Sequence, residues 1–138
     1  MAASGYSGTP LAKKLGLKPG MRAWFLGMPD SVRAEVERDA PAIERLETPE
    51  PPVELAHIFV TSCAALDREL RMLLPLIARD GMIWVSWPKK ASKVPTDISE
   101  DVIRALALPL GLVDVKVCAV DEIWSGLKLV IRRELRQP

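Results

Sequence analysis

Histidine occurs once and cysteine twice in this 138-residue chain, as His57, Cys63 and Cys118. They are too few and too scattered for a zinc-finger set, a paired-cysteine motif or a multi-histidine metal site. Charge of one sign is lacking too. Nineteen basic side chains face 18 acidic ones, a net charge of +1, so nothing global favours nucleic acid or an anionic membrane. No apolar run reaches the ~18 residues that a membrane span needs, and residues 1–10 lack the charged and apolar regions of a signal peptide. The expectation is a cytoplasmic protein with no membrane association. A chain of this length buries roughly two thirds of its unfolded surface, so no disulfide or metal staple is needed. The expected organisation is a flexible arm over residues 1–8 and one domain over 9–138.

What is present is a regular alternation of strand and helix signals. Thr9-Pro10 predicts a helix start, N-cap then proline, for a short helix with Leu11 and Leu15 that stops at Gly16. Arg22–Leu26 reads as a central strand, followed by a helix capped by Asp30 or Ser31, carrying Val32 and Val36 and closed by Pro41. A weak strand from Ile43 to about Glu47 precedes the Pro-rich stretch 48–52, and His57–Val60 is a short β-rich run. Thr61-Ser62 opens a helix carrying Leu66, Leu70, Leu73, Leu74 and Ile77, with Pro75 kinking or restarting its last turn. Met82–Trp87 reads as a buried strand broken by Pro88. Asp97 and Glu100 resemble a capping box for a helix through Val102, Ile103, Leu106 and Ala107. The tail alternates as a hairpin, Val113, Val115 and Val117 facing in on one strand and Leu127, Leu129 and Ile131 on the other. This pattern implies an α/β sheet, mostly parallel, with an antiparallel pair at one edge.

Three stretches, Leu15–Gly27, Arg79–Ser86 and the terminal hairpin, together resemble the layout of S-adenosylmethionine-dependent methyltransferases. Three others, Gly5–Gly16, Trp87–Ser92 and Lys116–Gly126, resemble the bacterial domain-of-unknown-function family numbered 3052 across nearly the whole chain. That family has no established activity to lend. The methyltransferase resemblance implies a minimal Rossmann-like fold with helices on both faces and S-adenosylmethionine as cofactor, but the sequence departs from it where the cofactor would sit. Of the glycine-rich loop after the first strand only Gly27 remains, Pro29 and Ser31 replace later glycines, and Phe25 stands where an acidic residue is usual. Pro29 has no N–H and cannot adopt positive φ, so this loop implies altered or lost cofactor binding.

Open α/β sheets bind ligands at the carboxyl ends of their parallel strands, which singles out four segments. They supply Gly27 and Asp30; Thr61 and Ser62; Trp87, Lys89, Lys90, Ser92 and Lys93; and Asp121, Glu122, Trp124 and Ser125. The lysines suit the negative groups of a small anionic or nucleotide-like ligand, Thr61 and Ser62 offer hydroxyls and helix N–H groups, and Trp87 and Trp124 are placed to stack or cover. Each feature has a plainer reading: a solvated lysine loop, a polar turn at Asp121-Glu122, a Trp packed on its own sheet. The same edge could instead serve a partner or a second copy of the chain, and a divergent methyltransferase is the third possibility. His57, at the start of its run, is expected far from the edge, and Cys63 and Cys118 read as small buried residues.

Overall fold

The computed structural model describes residues 9–136; the Tyr6 arm lies outside the described residues. Six strands, β1 (Arg22–Leu26), β2 (Glu44–Leu46), β3 (Val53–Phe59), β4 (Ile77–Pro88), β5 (Leu112–Ala119) and β6 (Trp124–Ile131), form one sheet in the order β2-β1-β3-β4-β6-β5. β1 to β4 pair in parallel, and β6 runs antiparallel to both β4 and β5. The α/β, mostly parallel sheet with a C-terminal hairpin expected from the alternation is the architecture observed.

The helices α1 (Leu11–Leu15) and α2 (Asp30–Asp39) cover one face, α3 (Cys63–Leu73) and α4 (Glu100–Ala107) the other. Leu66, Leu70 and Leu73 of α3 and Ile103 of α4 are fully buried against Ala56, Ile58, Ile83, Val85, Leu127 and Leu129. Each such side chain contributes about 1.5–3 kcal/mol. On the opposite face Leu11, Leu15, Val32 and Val36 close over Ala23, Leu55, Phe59 and Trp84, and the Trp84 indole N–H donates to the Leu15 carbonyl at 2.9 Å.

Local expectations shift in six places. Pro10, not Thr9, is the N-cap of α1, and α2 begins at Asp30 after Pro29, with no side-chain cap at either helix. β3 starts at Val53, which moves His57 from the beginning of the strand to its interior. Pro75 lacks the N–H a helix needs. α3 therefore ends at Leu73, and Ile77 opens β4, which runs on to pair Pro88 with Trp124. The cap of α4 is Ser99, whose Oγ accepts from Val102 N at 3.2 Å; Asp97 is used elsewhere. Finally, Val115 and Val117 are exposed: β5 bulges between Asp114 and Lys116, which leaves Val115 outside the ladder, and Val117, paired with Leu127, lies on the outermost strand of the sheet.

The link from β2 to β3 has no helix. It crosses beneath the amino end of β1 in residues 47–52, held by one side chain. Arg22 Nη1 reaches Glu44 Oε2 (2.7 Å), Nε the Pro52 carbonyl (2.8 Å) and Nη2 the Glu50 carbonyl (3.1 Å), while its backbone N–H donates to Glu54 Oε1 (2.8 Å). A planar five-donor fork is suited to binding a folded-back loop in this way.

Candidate functional site

The segments after β1, β3, β4 and β5 all emerge at the carboxyl edge of the sheet, as the parallel topology dictates. Two of them are joined directly. Lys89 N–H donates to the Ile123 carbonyl at 2.7 Å, and the pairs Trp87–Ser125 and Pro88–Trp124 lie in register. Gly27 (φ +68°) lies so close to β3 that a Cβ there would stand 3.1 Å from the Phe59 carbonyl oxygen. The β1 and β3 loops therefore touch at the switch point, leaving little room between them.

The edge does not gather its polar groups around one point. Trp87, 7% exposed, is packed into the α3–α4 side, whereas Trp124 is half-buried on the α1–α2 side, edge-on to Phe59 with centroids 5.1 Å apart. The expectation that both tryptophans cover one ligand fails, because register neighbours one step apart point to opposite faces. Nor do Thr61 and Ser62 offer a free helix end. Thr96 Oγ1 donates to the Thr61 carbonyl (2.7 Å), Ser62 Oγ caps α3 by accepting from Ala65 N (3.1 Å), and Asp97 Oδ1 accepts the Cys63 N–H (2.7 Å). The carboxylate of Asp97 thus takes the place an anion would seek. Asp121 serves its own turn, accepting from Ile123 N (2.8 Å) and Trp124 N (2.7 Å). Ser92 Oγ donates to the Lys89 carbonyl at 2.6 Å. Asp30, Lys90, Lys93 and Glu122 are exposed, and Lys89 and Ser125 are half-buried.

A concavity of about 490 Å³ opens beside the edge, between the end of β4 and the N-terminus of α4, lined by Trp87, Pro88, Lys90, Thr96, Ile98, Ser99, Glu100, Asp101 and Arg104. It takes in Trp87 and Lys90 and adds a wall that sequence reasoning missed. The α4 cap signal at the same edge was the available pointer. Arg104 is bound by Asp114 (3.0 Å), Glu100 (2.9 Å) and Asp101 (3.3 Å); the Asp114 hydrogen bond foremost, and then that of Glu100, raise its proton affinity. Among the described residues that line it, Lys90 is the cation outside that ion-pair group, with Glu100 and Asp101 opposite. A smaller cleft of about 200 Å³ lies beside α2, between Phe25, Met28, Val36 and Ile43.

His57 lies fully buried below the edge, its Nε2 2.7 Å from Ser86 Oγ and its ring stacked on Phe59 at 4.4 Å. Burial pushes its pKa down to about 3, so the imidazole is neutral. Both partners are sealed from solvent, which makes this a core polar pair without access for a substrate. Burial also raises the Cys63 and Cys118 thiols above the usual range. Among the described residues no three His, Cys, Asp or Glu side chains group as metal ligands, and no helix is long and apolar enough to cross a membrane.

The six-stranded sheet with its reversed penultimate strand and two-sided helix cover matches the methyltransferase-like Rossmann fold of several solved structures. The chain is similar to a ribosomal protein L11 methylase from Lactobacillus delbrueckii subsp. bulgaricus (TM-score 0.55, 11% identity, 89% of this chain and 76% of that one). It is also similar to the magnesium protoporphyrin IX methyltransferase of Synechocystis PCC 6803 with bound S-adenosylmethionine (0.55, 12%, 88% and 74%). A third likeness is to the mitomycin 7-O-methyltransferase MmcR (0.56, 12%, 88% and 53%). No family model and no curated protein matches the sequence. The residues present do not fit the cofactor in the manner of the glycine-rich loop. Pro29 offers no N–H, Met28 is turned into the core, and the Phe59 carbonyl closes on Gly27.

Proposed function

We propose that the protein is a methyltransferase-like domain that binds a small ligand at the carboxyl edge of its sheet without methyl transfer through the standard loop, and that its ligand lies in the β4–α4 concavity. The observation that carries this reading is the 490 Å³ space, with Trp87 as an apolar floor, Lys90 on one side and Glu100 and Asp101 on the other. A ligand with an anionic group for Lys90 and a hydroxyl or amine for the carboxylates matches those walls, which refines the anionic or nucleotide-like class expected from the lysine loop. Gly27 and Asp30 belong to the closed side of the edge and have no part in it; Lys93, Ser92 and Lys89 shape the loop that carries Lys90.

The experiment is a thermal-shift screen over nucleotides, acyl phosphates, amino acids and S-adenosyl compounds. The expected result is stabilisation by at least one class, lost in Lys90→Ala and in Glu100→Gln. Stabilisation by none would overturn the reading.

Divergent methyl transfer is the second reading, favoured by the shared fold. Calorimetry with S-adenosylmethionine distinguishes it: saturable binding that Gly27→Val abolishes supports it, and no binding removes it. The Trp-edge version of self-association has less behind it, since neither Trp87 nor Trp124 forms a flat exposed patch.

A further inference from the structure

On the α1–α2 side of the sheet, away from the concavity, the hairpin carries an unusual pairing. Lys116 of β5 and Lys128 of β6 are direct cross-strand partners. Such positions bring Cβ atoms to ~4.5–5.5 Å, and like charges there are destabilising. The other ladder neighbour of Lys128 is Trp84, which is fully buried, so the half-buried lysine has an indole on one flank and an ammonium on the other. Lys18, in the turn between α1 and β1, lies within Coulombic reach of Lys128. Burial, then Lys116 and Lys18, weaken the hold of Lys128 on its proton.

The ion pairs of the described residues all belong to arginines. Arg22 has Glu44, Arg71 has Asp67, and Arg104 has Glu100, Asp101 and Asp114. Lys18, Lys116 and Lys128 make no ion pair with any described carboxylate. Two facing ammonium groups with a third in Coulombic reach, one of them partly desolvated, are costly unless an anion shares them.

We propose that Lys18, Lys116 and Lys128 form a second site, for a small polyphosphate anion, on the outer face of the β5–β6 hairpin. Their grouping about Lys128 suits a compact multivalent anion better than the extended track of a nucleic-acid backbone. Flexible lysine point charges suit phosphate oxygens without demanding a fixed bidentate geometry. Of the sheet aromatics on this face, Trp84 is fully buried and Trp124 is engaged by Phe59, so neither offers a base a free platform. Because the cluster and the β4–α4 concavity lie on opposite faces, the two sites are independent.

The test is calorimetric and thermal-shift titration of sodium tripolyphosphate at low ionic strength into wild type, Lys116→Gln, Lys128→Gln and, as a control cation in neither site, Arg68→Gln on α3. The site predicts saturable binding in wild type, weakening by about tenfold or more in each hairpin variant and unchanged affinity in Arg68→Gln. It also predicts that Lys128→Gln melts higher than wild type without anion, since the repulsion is gone; this readout also shows that the variant folds. Absence of saturable binding, or binding indifferent to Lys116 and Lys128, overturns the proposal. A single-stranded oligonucleotide arm separates the sources of phosphate: weaker binding than tripolyphosphate supports a small anion, and tighter binding through the same lysines contradicts it.

Discussion

Trp87 and Trp124 lie one step apart across the β4–β6 ladder, in the pairs Trp87–Ser125 and Pro88–Trp124, and point to opposite faces of the sheet. One floors the concavity beside α4, and the other packs edge-on to Phe59 beside Val120. Their substitutions should therefore separate. Trp87→Ala should cost about 3–5 kcal/mol of stability, as large core truncations do, and should abolish ligand-induced stabilisation. Trp124→Ala should cost less, about 1–3 kcal/mol given its partial exposure, and leave ligand response intact. Urea unfolding with and without a stabilising ligand checks both; equal loss of response in the two variants would contradict the two-face arrangement.

Arg22 does for the β2–β3 link what a crossover helix does in a longer chain. Arg22→Ala should cost about 2–3 kcal/mol, since it strips charge-assisted bonds from Glu44, Glu50 and Pro52 together. Arg22→Lys should recover only part, because an ammonium cannot reach all three acceptors at once. Denaturant midpoints measure this, and an alanine variant as stable as wild type would contradict the clamp.

The buried His57 sets an acid limit. Its pKa of about 3 in the fold lies below the ~6.5 of an unfolded histidine, so the unfolded chain binds the extra proton between those values. Stability attributable to the neutral imidazole is complete above pH ~6.5 and falls as pH drops toward 3, by up to about 1.4 kcal/mol per pH unit. His57→Gln, which keeps a hydrogen-bonding group beside Ser86, should flatten that limb in a pH series of thermal melts. An unchanged limb would place the acid sensitivity elsewhere.

Asp97 anchors the loop after β4 to the start of α3 through the Cys63 N–H. Asp97→Asn should lower stability by about 1 kcal/mol. It should also make Cys63 react faster with iodoacetamide, because next to burial the Asp97 contacts are what hold that thiol above its usual range. A Cys118→Ser background isolates the Cys63 signal; an unchanged rate would contradict the contact.

Much of the architecture was legible because period and punctuation agree. β1 occupies the predicted Arg22–Leu26, and Ser62 caps α3 as its sequence implies. The misreadings have local causes. A one-residue bulge set Val115 outside the ladder, the edge position of β5 left Val117 uncovered, and a proline read as kinking or restarting the last turn ended α3 outright and gave Ile77 to a strand. The candidate site was legible only as an edge. Which side each residue takes depends on strand phase: Trp87 and Trp124 look equivalent in sequence and are opposed in space. The concavity wall of Thr96, Glu100 and Arg104 comes from a helix folded back across the edge, and the engagement of Thr61, Ser62 and Asp121 by their own chain depends on loop geometry that no periodicity encodes.

The central claim is that the ligand lies between β4 and α4 and not at the Gly27 loop, and the most direct measurement is a backbone amide chemical-shift map. It is recorded while titrating the strongest stabiliser from the screen into the wild-type protein. The account predicts shifts confined to Trp87–Lys93 and Thr96–Arg104, with Gly27–Asp30 unmoved. Shifts centred on Gly27–Asp30, with the α4 amides silent, would contradict it.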